Sequence, residues 1–169
     1  MKAFSILVCL LLSISISLQA QTENENLNTQ LKSMSTAFLD EDYKLMAEYT
    51  YPKVLEMMGG KEAMIQATEN TMSQMKSQGF SFLDINFKDP GLFYEKNGDR
   101  QCAITQVLVM QTPQGKVQSE STLVAISQDE GENWKFLDSS GMSKASLESF
   151  YANLHPDIEI KASKKIPID

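Results

Sequence analysis

The sequence predicts an α+β domain, with N-terminal helices packed on a strongly curved antiparallel sheet of about four to six strands and a further helix near the C-terminus. Three observations predict this class. Apolar residues recur at helical spacing in the first half of the chain and at strand spacing in the second half, and a helical stripe returns near the end. The 169 residues suit a single domain.

The first half predicts four helices joined by sharp turns. Apolar residues of the first helix lie three or four positions apart: Leu27, Leu31, Met34 and Phe38. The acidic residues 40–42 then offer an N-cap for a short helix from Tyr43 to about Tyr49. Pro52 suits the first turn of a third helix, which the glycine pair 59–60 closes, and a fourth helix ends at Gly79.

The second half predicts strands. The apolar parity of the first strand, residues 80–87, switches between Phe82 and Leu83, which indicates a bulge. Asn97-Gly98 is a strong hairpin signal. Further strands are predicted at 92–96, 101–111, 117–127 and 134–139. The last helix begins after Ser143 and stops at Pro156.

The N-terminus predicts export. Lys2 precedes an apolar run and a small residue at Ala20, the pattern of a signal peptide cleaved after residue 20. Retention as a membrane anchor is disfavoured because the apolar core is too short, and lipidation at Cys9 because the apolar run continues beyond it. We therefore expect residues 1–20 to be removed, 21–26 to be flexible, 27–155 to form the domain and 156–169 to form a tail that either adds an edge strand or lies on the surface. The mature protein would be periplasmic or extracellular.

Composition excludes several classes of function. The net charge is −7, and Arg100 is the sole arginine, so we expect no nucleic-acid partner and, once the signal is cleaved, no membrane association. One histidine and two cysteines leave no protein-built metal cage, and we predict no metal and no cofactor. Signal cleavage would leave Cys102 as the one cysteine, a buried thiol in an apolar strand, and therefore no intramolecular disulfide.

The order of these elements resembles the nuclear transport factor 2-like superfamily, the cystatin-like α+β cones that include SnoaL-like proteins. The resemblance covers residues 27–140 and depends on the aromatic Phe38 near the end of the first helix, the acidic corner 40–42, the short helix with tyrosines, the turn ending at Gly59-Gly60 and the meander of long strands. It implies a pocket between the helices and the concave sheet face. A homodimer formed through the sheet is a third alternative. The resemblance does not imply a reaction.

The resemblance, with strand parity, predicts the pocket lining: Phe38, Tyr43, Tyr49, Tyr51, Met57, Met72, Cys102 and Asp138. We expect a non-catalytic module that binds a hydrophobic small molecule or an interaction partner. The alternative is a cofactor-free isomerase or lyase that uses a pocket carboxylate, Asp138 or Asp84, with Tyr49. Asp138 could instead cap the turn that follows it. The single histidine, His155, falls outside the expected pocket.

Residues 127–134 match the Asp-box pattern, in which Ser, Asp, Gly and Trp recur at fixed spacing. Here they are Ser127, Asp129, Gly131 and Trp134, with Asn133 where threonine is commoner. In proteins that carry this box, the Asp accepts backbone N–H groups, the Gly takes a positive φ and the Trp packs inward. A single copy in a short chain predicts a structural hairpin without glycosidase activity.

Methionines recur along the predicted helices, among them Met57-Met58, Met64, Met72 and Met75. Paired thioethers can bind copper in exported proteins. Their helical spacing matches that of Ala67 and Thr71, so we interpret them instead as flexible core residues that fill an irregular pocket.

Overall fold

Residues 24–88 and 90–168 are described by the computed structural model. The helices are α1 (residues 24–39), α2 (Tyr43–Tyr49), α3 (Pro52–Met57), α4 (Lys61–Ser77) and α5 (Lys144–Phe150). The strands are β1 (Ser81–Phe87), β2 (Tyr94–Lys96), β3 (Asp99–Thr112), β4 (Gly115–Ser127), β5 (Lys135–Asp138) and β6 (Lys164–Ile168). The α+β class and the antiparallel sheet are confirmed.

Helices α2 and α3 begin where their capping residues predict. Asp42 caps α2 because its Oδ1 accepts a hydrogen bond from the backbone N–H of Leu45 at 3.0 Å. Pro52 is the first residue of α3, where its missing N–H leaves no partner unsatisfied. Gly60 precedes α4 with φ of 104°, a backbone conformation that side chains disfavour.

A long hairpin of β3 and β4 forms the centre of the sheet. Its register runs from the pair Arg100–Ser127 to the pair Thr112–Gly115. Shorter strands pair with each half of the two hairpin strands. The N-terminal half of β3 pairs with β2 and its C-terminal half with β1. The N-terminal half of β4 pairs with β6 and its C-terminal half with β5. The β2–β3 turn has positive φ at Asn97 and Gly98, as the hairpin signal predicts.

The two faces of the sheet have different covers. On the inner face, Ile104 and Leu123 pack with Leu27 and Leu31 of α1. On the outer face, side chains of β4 and β5 pack with α5 and the segment after it; they are Val124, Ile126, Leu137, Leu147, Tyr151, Leu154 and Ile158. Helix α5 thus covers the face opposite to the N-terminal helices, because successive β4 residues are apolar on both faces.

Helix α5 ends at Phe150, earlier than the predicted stop at Pro156. The residues after it use their carbonyl groups elsewhere. The Lys96 ammonium donates to the carbonyl oxygens of Ala152 and Leu154, at 3.1 and 2.9 Å. The Gln101 amide donates to that of Asn153 at 2.7 Å. These bonds to the β2–β3 hairpin replace a further helical turn.

Both ends of the described chain belong to the folded domain. Residues 24–26, expected to be flexible, are helical, and the Asn26 amide donates to the carbonyl of Gly131 at 3.3 Å. In the expected tail, Ile158 is fully buried and β6 pairs with β4, so the edge-strand alternative is the correct one. The predicted signal peptide, residues 1–20, lies outside the described residues. Within the described ranges, none of the helices combines the length and apolar character that crossing a membrane requires.

The Asp-box segment folds as predicted. Asp129 Oδ1 accepts hydrogen bonds from the Ser127 hydroxyl and the backbone N–H of Asn133, both at 2.8 Å. Gly131 has φ of 91°, and its carbonyl accepts a bond from the buried Trp134 indole at 3.1 Å. The segment is also joined to α1, because the Gln30 side-chain oxygen accepts a hydrogen bond from the Trp134 backbone N–H at 2.8 Å.

Replacing the Asp-box aspartate tests this structural role. Asp129→Ala should lower the free energy of unfolding by about 1–3 kcal/mol, since it removes a charged acceptor with several donors. Asp129→Asn should lower the free energy of unfolding less. The new side chain keeps one acceptor oxygen, but its NH2 group would face the Asn133 amide that donates to Oδ2 in the wild type. Urea denaturation measures both variants. Wild-type midpoints for both would contradict the role.

Candidate functional site

A cavity of about 410 Å³ lies between helices α1–α4 and the inner face of the sheet. Its volume falls within the range of roughly 300–1,000 Å³ that is typical of small-ligand pockets. Most of its walls are thioether, aliphatic or aromatic side chains: Met34, Phe38, Met46, Val54, Met64, Phe82, Ile85, Leu108, Leu123, Phe136 and Leu137. Ser35, Thr50, Gln106 and Asp138 complete the lining. The cavity is therefore apolar with a few polar groups.

The β1 bulge determines which β1 side chains enter this cavity. The register shifts between Phe82 and Asp84, so Phe82 and Ile85 both reach the cavity although they lie three residues apart. Leu83 is 46% exposed, and Asp84 is exposed and accepts a bond from the Asn86 amide. Asp84, predicted as an alternative pocket carboxylate, is therefore not part of the cavity lining, because the bulge inserts its extra residue between Phe82 and Asp84.

Three of the polar groups in the lining already have protein partners. The Ser35 hydroxyl donates to the carbonyl of Lys32 at 3.0 Å, and the Thr50 hydroxyl donates to that of Met46 at 3.2 Å. Asp138 accepts from the backbone N–H and hydroxyl of Ser140, at 2.8 and 2.6 Å. Asp138 thus lines the cavity and also caps the following turn, which combines the two alternatives that the sequence left open.

Phe38 and Asp138 are the residues of the predicted pocket lining that do line the cavity. Tyr43 and Met72 instead line a smaller cleft of about 60 Å³ beside α4 and β1, which also touches Phe38. Burial, helped by the Glu41 carboxylate, raises the pKa of Tyr43. The tyrosine is therefore a neutral side chain between helices.

The other predicted pocket residues lie elsewhere. Tyr49 packs on Phe136, with ring centroids 6.2 Å apart, and belongs to the inner core. Tyr51 passes the β5 edge and packs on Tyr151, 5.2 Å between centroids, as part of the outer core. Met57 is 71% exposed, and Cys102 is fully buried in the inner core. The positions of these four residues in the chain therefore place their side chains outside the cavity lining.

Several lining residues were not predicted, and strand parity is the signal that could have identified them. Gln106 and Leu108 have the same parity on β3 as Cys102, and Leu123 lies opposite Ile104 on β4. Met34 and Met64 belong to helical stripes that the sequence analysis recognised. Parity identifies the inner face, but the depth of the cavity depends on how the helices cover that face.

A second cavity, of about 220 Å³, lies on the outer face. Its lining mixes exposed Leu92 with Tyr94, Thr122 and charged residues of the C-terminal segment, including Asp157 and Lys161. The Lys161 backbone N–H donates to the Thr122 hydroxyl at 3.0 Å, which holds the segment on the sheet. This space is smaller and more polar than the inner cavity.

A buried polar cluster joins the β2–β3 hairpin to the C-terminal segment. Asp99, which is 7% exposed, accepts bonds from the Tyr151 hydroxyl and the Asn153 amide, both at 2.6 Å, and from the Gln128 amide at 3.0 Å. The fully buried Gln101 amide oxygen accepts from the His155 N–H at 2.9 Å. This cluster was not predicted from the sequence, because its members lie between 29 and 54 residues from their partners in the chain.

Hydrogen bonding controls the protonation of the cluster. Burial raises the pKa of the Asp99 carboxyl, but the bonds from Tyr151, Asn153 and Gln128 outweigh burial and bring the pKa below its ordinary value. Burial and the bond to Asp99 raise the pKa of Tyr151. The pair is thus an ionised carboxylate and a neutral phenol. Its members line none of the three spaces described above, so the arrangement stabilises structure.

Known proteins offer no further identification: no family model and no curated protein matches this sequence. Within the described ranges, the chain also brings together no group of three or more His, Cys, Asp and Glu side chains that could hold a metal ion.

The Asp99 cluster predicts loss of stability in acid. A carboxyl whose pKa is lowered by folding contributes stability that is complete above about pH 5 and is lost as the pH falls through its folded pKa. Asp99→Asn should lower the free energy of unfolding at pH 7 by about 2 kcal/mol and flatten its decline below pH 5. Urea denaturation between pH 3 and 7 measures both effects.

The exposed carboxylate of Asp84 provides a matched control on the same sheet. Asp84→Asn makes the same substitution at an exposed position and should leave the free energy of unfolding at pH 7 near that of the wild type. A wild-type free energy at pH 7 and a wild-type pH profile for Asp99→Asn would contradict the role assigned to the buried cluster.

Proposed function

We propose that this protein is an exported, non-catalytic module that binds a hydrophobic or amphiphilic small molecule in the inner cavity. The observation that carries the proposal is the cavity itself, about 410 Å³ in volume and lined chiefly by methionine, aliphatic and aromatic side chains. Such walls favour apolar ligands because binding removes apolar surface of both partners from water. The methionine thioethers can adjust to ligands of different shape.

The position of the cavity gives the proposal further support. Helices α1–α4 cover the inner face, as the resemblance to the nuclear transport factor 2-like cones implies, and we propose membership of that superfamily on this architecture. Export is proposed on the signal-peptide pattern of residues 1–20. The suggested homodimer through the sheet stays a prediction.

The cavity supports acid-base catalysis less well. The catalytic alternative calls for a desolvated carboxylate next to a hydrogen-bond donor such as tyrosine. Asp138 is the carboxylate of the lining, but it is exposed and bonded to Ser140, and no tyrosine is among the described lining residues. Asp84 points outward, and Tyr49 packs in the core. We therefore propose binding in preference to catalysis.

Filling the cavity with one side chain tests the proposal. Ile85→Trp should lower the affinity for the fluorescent apolar probe N-phenyl-1-naphthylamine by at least tenfold, because the indole occupies the space that the probe would use. Leu83→Trp is the matched control, since Leu83 lies on the same strand, outside the cavity lining, and is 46% exposed. Fluorescence titration measures the affinities, and thermal denaturation checks that both variants fold.

The outcomes separate cavity binding from surface binding. Equal loss in the two variants would place the probe on the surface of β1 and contradict the proposal. Absence of probe binding by the wild type would also contradict it. Native mass spectrometry of the protein purified from its own host provides an independent test, with a retained small molecule expected in the wild type and reduced in Ile85→Trp.

A further inference from the structure

We propose that Gln106 is the specificity-determining residue of the inner cavity, and that the ligand carries an uncharged polar head that both donates and accepts hydrogen bonds, as a primary amide or an alcohol does. This inference rests on the proposed binding function and adds the chemical class of the ligand. It depends on which polar atoms of the cavity remain available.

Gln106 lies near the middle of the cavity face of β3. Its strand neighbours are Phe87 of β1 and Ser121 of β4, and the next residue on the same face, Leu108, also lines the cavity. A central strand has little freedom to move, because pairs on both sides hold its backbone. The amide group is therefore presented from a rigid element, as residues that select ligands require.

The Gln106 amide has unused hydrogen-bonding capacity. In the described part of the chain, its side chain makes no hydrogen bond with another residue, whereas the other polar side chains of the lining are bonded to protein. Ser121, directly opposite and 8% exposed, likewise makes no side-chain hydrogen bond within the described ranges. Ser121 is buried, and Gln106 is half-buried and lines the cavity. A ligand that enters the apolar cavity would therefore meet an amide whose hydrogen-bonding capacity the described chain leaves unused.

The charges around the cavity decide the character of that partner. The described lining contains no lysine, arginine or histidine, and its one ionisable group is the acidic Asp138. A carboxylate or phosphate head would lose its hydration without gaining a cation, and Asp138 would repel it. Because an amide side chain offers one acceptor and two donors, its best complement is a neutral group with both functions.

Three probes of equal chain length test this inference: decanamide, decanoate and decane. Displacement of N-phenyl-1-naphthylamine measures their affinities. The wild type should bind decanamide more tightly than decanoate at pH 7. Gln106→Leu should weaken decanamide binding about tenfold relative to the binding of N-phenyl-1-naphthylamine by the same variant, the effect of losing one or two hydrogen bonds.

A matched variant controls for the substitution itself. Gln118→Leu makes the same change on the outer face of β4, where the amide is bonded to Glu120, and it should bind decanamide like the wild type. An unchanged decanamide affinity in Gln106→Leu would overturn the role of Gln106 while leaving cavity binding intact. Tighter binding of decanoate than of decanamide would overturn the neutral head group. Failure of the wild type to bind the fluorescent probe would overturn both proposals.

A measurement on the wild type keeps the inference testable if Gln106→Leu does not fold. The side-chain amide signals of Gln106 in a ¹H–¹⁵N spectrum should shift on addition of decanamide and shift much less on addition of decane. Similar shifts with both ligands, or none with either, would overturn the assignment.

Discussion

The pairing of β3 with β4 is the constraint on which the rest of the structure depends. Thirteen consecutive residue pairs hold these strands in one register. Each strand side chain is thereby assigned to the inner or the outer face, and a shift by one residue would exchange the faces. Because β4 is apolar at successive positions 123–126, both faces need a cover. The N-terminal helices cover one, and α5 with the following segment covers the other.

The inner and outer faces of the sheet hold their covering segments in different ways. On the inner face, Leu27 and Leu31 of α1 pack in the core with β3 and β4, and the cavity lies between the helices and residues of β1 and β3. On the outer face, hydrogen bonds hold the segment after α5. Asp99 accepts bonds from Tyr151 and Asn153. Gln101 donates to the Asn153 carbonyl and accepts from the His155 N–H. The inner face therefore has a cavity of about 410 Å³, whereas the segment after α5 leaves a smaller space of about 220 Å³ on the outer face.

Local patterns predicted the elements well, and the candidate site less well. The caps of α2 and α3, the Asn97-Gly98 turn and the Asp-box hairpin were recognisable because each depends on residues a few positions apart. The lining of the cavity was not, because it combines residues from four helices and four strands. The bulge illustrates the difference: the parity switch was visible near Phe82, yet the outward orientation of Asp84 follows only from the register with β3.

The sequence by itself determined the α+β class, the order of the elements and the apolar character of their facing sides, because periodicity and turn preference act over short distances. Only the tertiary structure decided that Gln106 and Asp138 share a cavity, that Tyr51 packs on the outer core, and that α5 stops at Phe150. The physical reason is that each of these outcomes depends on partners far along the chain, whose contacts arise when strand register and helix packing bring them together.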